Sequence, residues 1–263
     1  MSSPWAGGDV GERSRCVLAP NAGPMTLDGT NTWVLREPGA TASVVVDPGP
    51  LHEGHLRTVL ELGAPVAVVL LTHGHADHSA GAPRLAELAG CSVRALDPAH
   101  RLGSEGLQAG DRVAVAGLEI EVVATPGHTS DSLSFLLPGD HAVLTGDTVL
   151  GRGTTVVAHP DGQLGAYLGS LRRLRALAEE TGLTRVLPGH GPVLDDAVGV
   201  LDGYLRHRAE RLSQVRDAVA AGARTPAEVV ARVYADVHPV LWPAAELSVA
   251  AQLAFLAEQD QAR

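Results

Sequence analysis

The stretch Thr72-His73-Gly74-His75-Ala76-Asp77-His78 sets three imidazoles and a carboxylate at i, i+2, i+4 and i+5 of one glycine-containing turn. Such a turn can face two adjacent points in space. Imidazole nitrogens with a carboxylate suit Zn²⁺, and also Fe or Mn, less exclusively. Three more segments end the same way: Val122–Gly127 delivers His128, Val143–Gly146 delivers Asp147 and Val186–Gly189 delivers His190. Each is an apolar run, then a turn with glycine, then one metal-type donor. Taken singly, such a residue reads as part of a turn. Together the four segments gather seven donors at one edge of a core and use five of the twelve histidines.

Positioning those donors requires strands that end side by side. Short β-branched runs predict strands over 32–36, 43–46, 66–71, 92–96, 112–116, 118–124, 132–137, 142–145 and 185–187. Helical spacing of apolar residues predicts helices over 52–62, 76–89, 164–180 and 195–221. Beyond Gly222, Thr225 reads as an N-cap with Pro226 and Glu228 behind it, opening a helix to about 235. A last helix is expected over 244–258. The pattern is a mixed α/β body to about residue 195 followed by an all-helical tail, with residues 1–15, rich in glycine and serine, as a flexible start.

The ordered set T-H-x-H-x-D-H, G-H-T, G-D and G-H-G, at residues 72–78, 127–129, 146–147 and 189–191, resembles the metallo-β-lactamase superfamily. The resemblance implies an α/β (α+β) fold, an αβ/βα sandwich of two mixed sheets with the metals at one edge. It implies that His73, His75 and His128 hold one metal, that Asp77, His78 and His190 hold a second, and that Asp147 bridges them. Two Zn²⁺ per chain are expected, with Fe or Mn as alternatives. The intact Asp77-His78 pair argues against the mononuclear iron branch. A metal-bridging hydroxide would be the nucleophile at neutral pH, with Asp77 and Asp147 as the carboxylates that serve it. Two dications offset by Asp77, Asp147 and hydroxide leave about one positive charge to attract an anionic substrate. Asp47, in Val-Asp-Pro-Gly, resembles the superfamily's early acidic motif and is expected to orient a ligand imidazole. Thr129 and Thr148 follow ligands and are expected to orient them.

Finer motifs resemble the β-lactamase-like protein 2 group, which includes a single-stranded-RNA endoribonuclease. They are Gly29-Thr30-Asn31-Thr32-Trp33, the Gly146–Thr155 segment, Tyr167 with Ser170 and Leu171, and Tyr204-Leu205 with His207-Arg208. This resemblance covers about 17–260 and implies domains at 16–195 and 196–263, the second a small helical, winged-helix-like unit. Thr30, Asn31 and Thr154 are expected to line the cleft, and His207 and Arg208 to pack the tail near the site. Single-stranded RNA and small molecules are the expected substrates. A thioesterase of the glyoxalase II or acyl-carrier/CoA type is the alternative, and a non-enzymatic metal-binding module fits least.

Composition narrows the partners. With 20 arginines, no lysine and 30 acidic residues the net charge is −10, the opposite of the balance by which proteins hold duplex DNA. Aromatics make up 3 %, which leaves little stacking platform for single strands. No continuous apolar run reaches the length of a membrane span, and the start has no signal-peptide core. The two cysteines cannot form a disulfide framework. A cytoplasmic monomer or homodimer is expected, without membrane or duplex-DNA partners.

Overall fold

The computed structural model describes residues 4–261. Its first sheet holds β1 (Gly8–Val10), β2 (Ser14–Leu18), β3 (Asn31–Leu35), β4 (Ser43–Val46), β5 (Val66–Leu70) and β6 (Ser92–Arg94) in that spatial order. Strands β1 to β4 pair antiparallel. From β4 to β6 the pairing is parallel, and each parallel step needs a crossover. Helix α1 (Glu53–Gly63) makes the first; α2 (Ala76–Ser79) and α3 (Ala82–Ala89) make the second. The second sheet runs β12-β11-β10-β9-β8-β7. These are β7 (Arg112–Val115), β8 (Leu118–Ala124), β9 (Leu133–Leu137), β10 (Ala142–Gly146), β11 (Arg185–Pro188) and β12 (Leu194–Asp195). Only β10 and β11 are parallel there, joined through α4 (Leu164–Thr181). Helices α5 (Ala197–Ala220), α6 (Pro226–Val233) and α7 (Trp242–Gln261) follow.

Alternation along the strands builds four layers. Trp33, Leu35, Val44 and Val46 point between the sheets and meet Ile120, Leu133, Phe135 and Leu144. Their neighbours Val34 and Val45 point outward onto Leu56 and Val59 of α1 and Leu85 of α3, as a period of two requires. On the far side Leu136, Val143 and Val186 pack on Tyr167 and Leu171 of α4 and Leu201 and Tyr204 of α5. The two mixed sheets with helices outside are the sandwich expected.

The flexible start does not hold for residues 8–15. Strand β1 pairs with β2 in register Gly8↔Cys16, and Arg13 pairs with Glu37 at 2.7 Å and with Asp140 at 3.1 Å. These partners lie far along the chain, so local composition could not announce them. The single helix expected over 76–89 is two: Pro83 sits in the first turn of α3, where its missing N–H costs nothing, whereas mid-helix it would break the ladder. The boundary at 195/196 divides less than expected. Leu201, Tyr204 and Leu212 of α5 belong to the core of the second sheet. Farther along α5, Val215 and Ala218 join Ala223, Val229, Val230 and Val249 in a separate small core. Among the described residues α7, extended back to Pro239, is the one helix long and apolar enough to cross a membrane. In the fold Val249 and Ala251 of this helix are buried, and Phe255 lies against Gly165 of α4.

Candidate metal centre

All seven donors project from turns at the same edge of the sandwich. The turn after β5 carries His73 and His75, and α2 begins at once so that Asp77 and His78 swing back beneath them. His128 follows a turn that only glycine allows: Gly127 has φ +137°, and a Cβ there would lie 2.3 Å from the Tyr167 backbone. Asp147 follows β10 directly, and His190 comes two residues after β11. The His190 turn is tied to the first sheet, because Asn31 Nδ2 donates to the carbonyls of Pro188 (2.9 Å) and Gly191 (2.8 Å) and Trp33 Nε1 donates to Pro188 (3.2 Å).

Two triads result. His75 Nδ1 lies 3.1 Å from both His73 Nε2 and His128 Nε2. Nitrogens at a Zn–N distance of about 2.0–2.1 Å in tetrahedral array stand roughly 3.3 Å apart, so three lone pairs converge where one cation fits. In the second triad His190 Nε2 is 3.1 Å from Asp77 Oδ2 and 3.2 Å from His78 Nε2. Asp147 lies between them. Its Oδ1 is 3.4 Å from His78 Nε2 and 3.5 Å from His190 Nε2, while Oδ2 is 3.8 Å from His128 Nε2. That Oδ1 is buried with no hydrogen-bond partner. An orphaned buried carboxylate oxygen facing imidazole nitrogens is what a bridging metal ligand presents without its ions.

The other ring nitrogens are held. His128 Nδ1 donates to Val156 O (2.7 Å), His190 Nδ1 to Gly29 O (3.1 Å) and His78 Nδ1 to Asp47 Oδ2 (2.9 Å); Thr72 Oγ1 meets His73 Nδ1 at 3.0 Å. Each contact turns Nε2 toward the centre in its metal-binding tautomer. Asp47 also accepts from Thr72 N (2.8 Å) and Thr72 Oγ1 (2.6 Å), so it orients His78 and the ligand turn together. Charge follows this layout. Burial, reinforced by His78, holds His73 well below the ordinary histidine range, and burial lowers His128 as well. Burial opposes charge on His78 too, but the carboxylates of Asp147 and Asp47 overcome it and hold its proton well above that range. His190 goes up to about 9: burial opposes this, and Asp147 and Asp77 prevail. Asp147 stays ionised far below its usual range, where His78 and His190 outweigh its burial.

Four other expectations change. Thr30 and Asn31 are fully buried and do not reach the cleft. Thr30 Oγ1 donates to Asp77 O (3.0 Å), and Asn31 clamps the His190 turn as described. Thr129 spends its hydroxyl on Ser132 Oγ (2.7 Å), closing the turn, and contacts no ligand ring. Thr148 Oγ1 is buried without a partner, while its carbonyl accepts from Tyr167 OH (2.7 Å). Thr30 and Asn31 thus answer a backbone need beside a ligand, Thr129 answers a side-chain hydroxyl, and the Thr148 hydroxyl answers neither. Thr154 is exposed and does line the cleft.

That cleft, about 320 Å³, opens on His128 and Asp147 and runs between the loop 148–157 and helices α5 and α7. Leu27, Leu150, Val156, Leu241 and Ala244 make its walls apolar. Side chains from three helices pin the loop backbone. Besides Tyr167, Tyr204 OH accepts from Leu150 N (2.8 Å), Arg208 donates to Thr155 O, and Ser248 Oγ accepts from Val157 N (3.3 Å). Sequence reasoning placed Arg208 near the site but missed the contacts of Tyr204 and Ser248, as it missed the carbonyls of Gly29 and Val156, because any residue can supply a backbone group. The Tyr204 and Arg208 motif was the one available signal.

Residues 25–190 match the family model of the Metallo-beta-lactamase superfamily. The chain belongs to that superfamily, a family of dinuclear metal-binding hydrolases. Residues 225–263 match the Beta-lactamase associated winged helix domain. The Beta-lactamase-like protein 2 homolog of Caenorhabditis elegans is 33% identical over 84% of this chain and 76% of its own length. An Atrochrysone carboxyl ACP thioesterase of Aspergillus fumigatus is 33% identical over 83% of this chain and 72% of its own. The Lactamase-like protein aptB of Emericella nidulans is 35% identical over 79% of this chain, which spans 65% of it, just under two thirds. A Beta-lactamase domain protein from Burkholderia ambifaria superposes with a TM-score of 0.80 at 23% identity, covering 98% of this chain and 90% of that one.

Proposed function

We propose that this superfamily member hydrolyses an acyl thioester or a closely related ester, with the apolar cleft as its acyl site and Zn²⁺ as its metal. The observation that carries the reading is the cleft itself. Its volume lies in the range of small-molecule sites, about 300–1,000 Å³, and its walls are apolar up to the metal donors. The arginines at it form no open track for a phosphate backbone: Arg152 pairs with Asp28, Arg211 lies over Tyr234 (4.7 Å), and Arg208 is buried. The likeness to a protein named as a thioesterase supports the same chemistry.

Two divalent metals, once bound, supply an activated water and polarise the scissile carbonyl. The chain's own residues do the rest. Asp147 and Asp77 offset part of the metal charge and fix the spacing of the two triads. The Nδ1 hydrogen bonds hold four imidazoles in place, so no reorganisation is needed as charge develops. Exposed His75 and half-buried Asp77 mark the side from which the thiol portion enters. Leu150 and Val156 keep water from the acyl side. The test sets metal-loaded protein against acyl thioesters and, in parallel, against an end-labelled unstructured RNA, with Asp147→Ala as the contamination control. Chelator-sensitive thioester turnover absent from the variant is expected. RNA cleavage with the same dependence, without thioester turnover, would replace this reading by a nuclease.

A further inference from the structure

Arg208 carries a charge that the protein leaves uncompensated. The residue is 7% exposed and lines the cleft together with His207. One amino group of its guanidinium donates to Thr155 O, and the group lies 4.9 Å from the centre of the Tyr167 ring. Its Nε is buried and meets no acceptor, and the same is true of His207 Nδ1. Nearby arginines are treated differently: Arg152 has Asp28, and Arg175 has Asp202 and Glu179. No carboxylate reaches Arg208 among the described residues, and the only acid lining the cleft is Asp147, already committed to the metal centre. A guanidinium taken out of water is costly without a counter-charge. A carbonyl and a ring face offset part of that cost, but they leave the Nε–H idle. Holding the loop needs only the contact to Thr155, so that role does not account for the rest.

We propose that Arg208 and His207 form an anion-reading subsite, and that the acyl group taken by the cleft ends in a carboxylate. One buried guanidinium among apolar neighbours suits a planar monoanion, which accepts two parallel N–H bonds; a phosphate dianion demands more donors. His207, whose buried Nδ1 also lacks a partner, adds a second polar contact. The subsite is close to the chemistry. Thr155, which accepts from Arg208, donates through Oγ1 to Asp147 O at 2.8 Å. His128, Asp147 and Arg208 line one cleft of about 320 Å³, a size that suits a short dicarboxylic half-thioester. The inference rests on the acyl-hydrolase reading only for the bond that is broken.

The experiment compares N-acetylcysteamine thioesters, which carry no phosphate, on the metal-loaded protein. An ω-carboxyacyl series from malonyl to adipoyl is set against neutral ω-methylketone isosteres. The best carboxylated member is expected to exceed its isostere by about tenfold or more in kcat/KM, mainly through KM, as a charge-assisted pair should. Arg208→Gln is expected to bring that ratio close to one. Arg208→Lys, which keeps the charge without the fork, replaces it should the glutamine variant not fold, and a clear fall in the ratio is expected there too. A ratio unchanged by these variants, or a preference for the neutral series, overturns the subsite. A preference for phosphopantetheine over pantetheine thioesters that Arg208→Gln abolishes would put the anion on the leaving group and overturn the acyl assignment. If no thioester is hydrolysed, thermal stabilisation by the monoamide of glutaric acid still decides. Stabilisation of the wild type but not of Arg208→Gln keeps the subsite while the hydrolase reading falls. Equal stabilisation, or none, removes the subsite.

Discussion

The first sheet contributes His73, His75, Asp77 and His78 from one turn and the helix it opens, whereas the second contributes His128, Asp147 and His190 from three turns far apart in sequence. In the first, donor spacing is a local property: a turn after β5, α2, and the two oxygens of Asp47 behind them. In the second it depends on strand register, on the α4 crossover and on clamps from elsewhere, including Asn31, Trp33 and Tyr167. The two regions should therefore fail differently. Damage to the second sheet's ends displaces donors of both metals; damage behind the first sheet's turn should only detune it.

The largest effect is expected at Asp147, the one residue whose two oxygens face both triads. Asp147→Ala should lower metal content below one ion per chain and lower kcat/KM by roughly a thousandfold or more, about 4 kcal/mol. Metal analysis beside turnover checks this, and a variant that keeps two ions would break the bridging assignment. Next comes Gly189→Ala, a change that leaves every donor in place. A Cβ there would lie 2.6 Å from Asp147 Oδ1 and 2.7 Å from His78 Cε1, a contact that neither buried side chain can easily relieve. A loss of about a hundredfold in activity is expected, roughly 2.7 kcal/mol, again with reduced metal. Unchanged metal and activity would show the second sheet's turns to be more compliant than their packing implies.

Asp47→Asn probes the first sheet in the same terms. Asp47 adopts φ +50°, a conformation asparagine tolerates, so the backbone should stand. Its carboxylate accepts from Thr72 N, Thr72 Oγ1 and His78 Nδ1, and an amide cannot accept all three. His78 then loses the partner that fixes its tautomer. A change of this kind usually costs about 10- to 100-fold in metal affinity or activity, so competition with a chelator of known affinity should show weaker binding at the Asp77 triad. A loss as large as that of Asp147→Ala would erase the contrast between the two regions.

The same contrast explains what could be read before the fold was known. Ligand identity was legible, because His and Asp at strand ends are rare and their types carry the chemistry. The strands behind them were legible from apolar runs, within a residue or two for β4, β5, β8 and β10. Partners chosen by backbone position were not: Val156 O and Gly29 O hold imidazoles through a group every residue owns. Nor could the sequence show that Thr30 and Asn31 face inward, since a short polar side chain beside a ligand serves a cleft and a buried clamp equally well. Strand β1 was hidden because its apolar content is slight and its pairing with β2 is decided by geometry. Arg208 was visible as part of a motif, but its lack of a counter-ion is a property of the packed helices alone.

The smallest predicted effect lies behind the first sheet, at His55 of α1. Its ring is buried and meets Thr32 Oγ1 at 2.9 Å, and Thr32 in turn donates to Asp47 O (2.8 Å). The neutral imidazole is thus part of the support beneath the ligand turn. Burial, aided slightly by His52, lowers its pKa to about 4 against an unfolded value of 6.5. The unfolded chain therefore binds this proton first, and protonation favours unfolding. The stability it contributes is fully present above about pH 6.5, is lost as the pH falls toward 4, and changes no further below that. His55→Gln keeps a polar group near Thr32 but cannot take up the proton. In chelator-treated protein, where metal release cannot intrude, the difference in melting temperature between wild type and His55→Gln should be level above pH 7. It should then move steadily in the variant's favour between pH 6.5 and 4. A difference that stays level across that window would mean that the ring is hydrated or charged in the fold, and that the support behind the first sheet is softer than the clamps on the second.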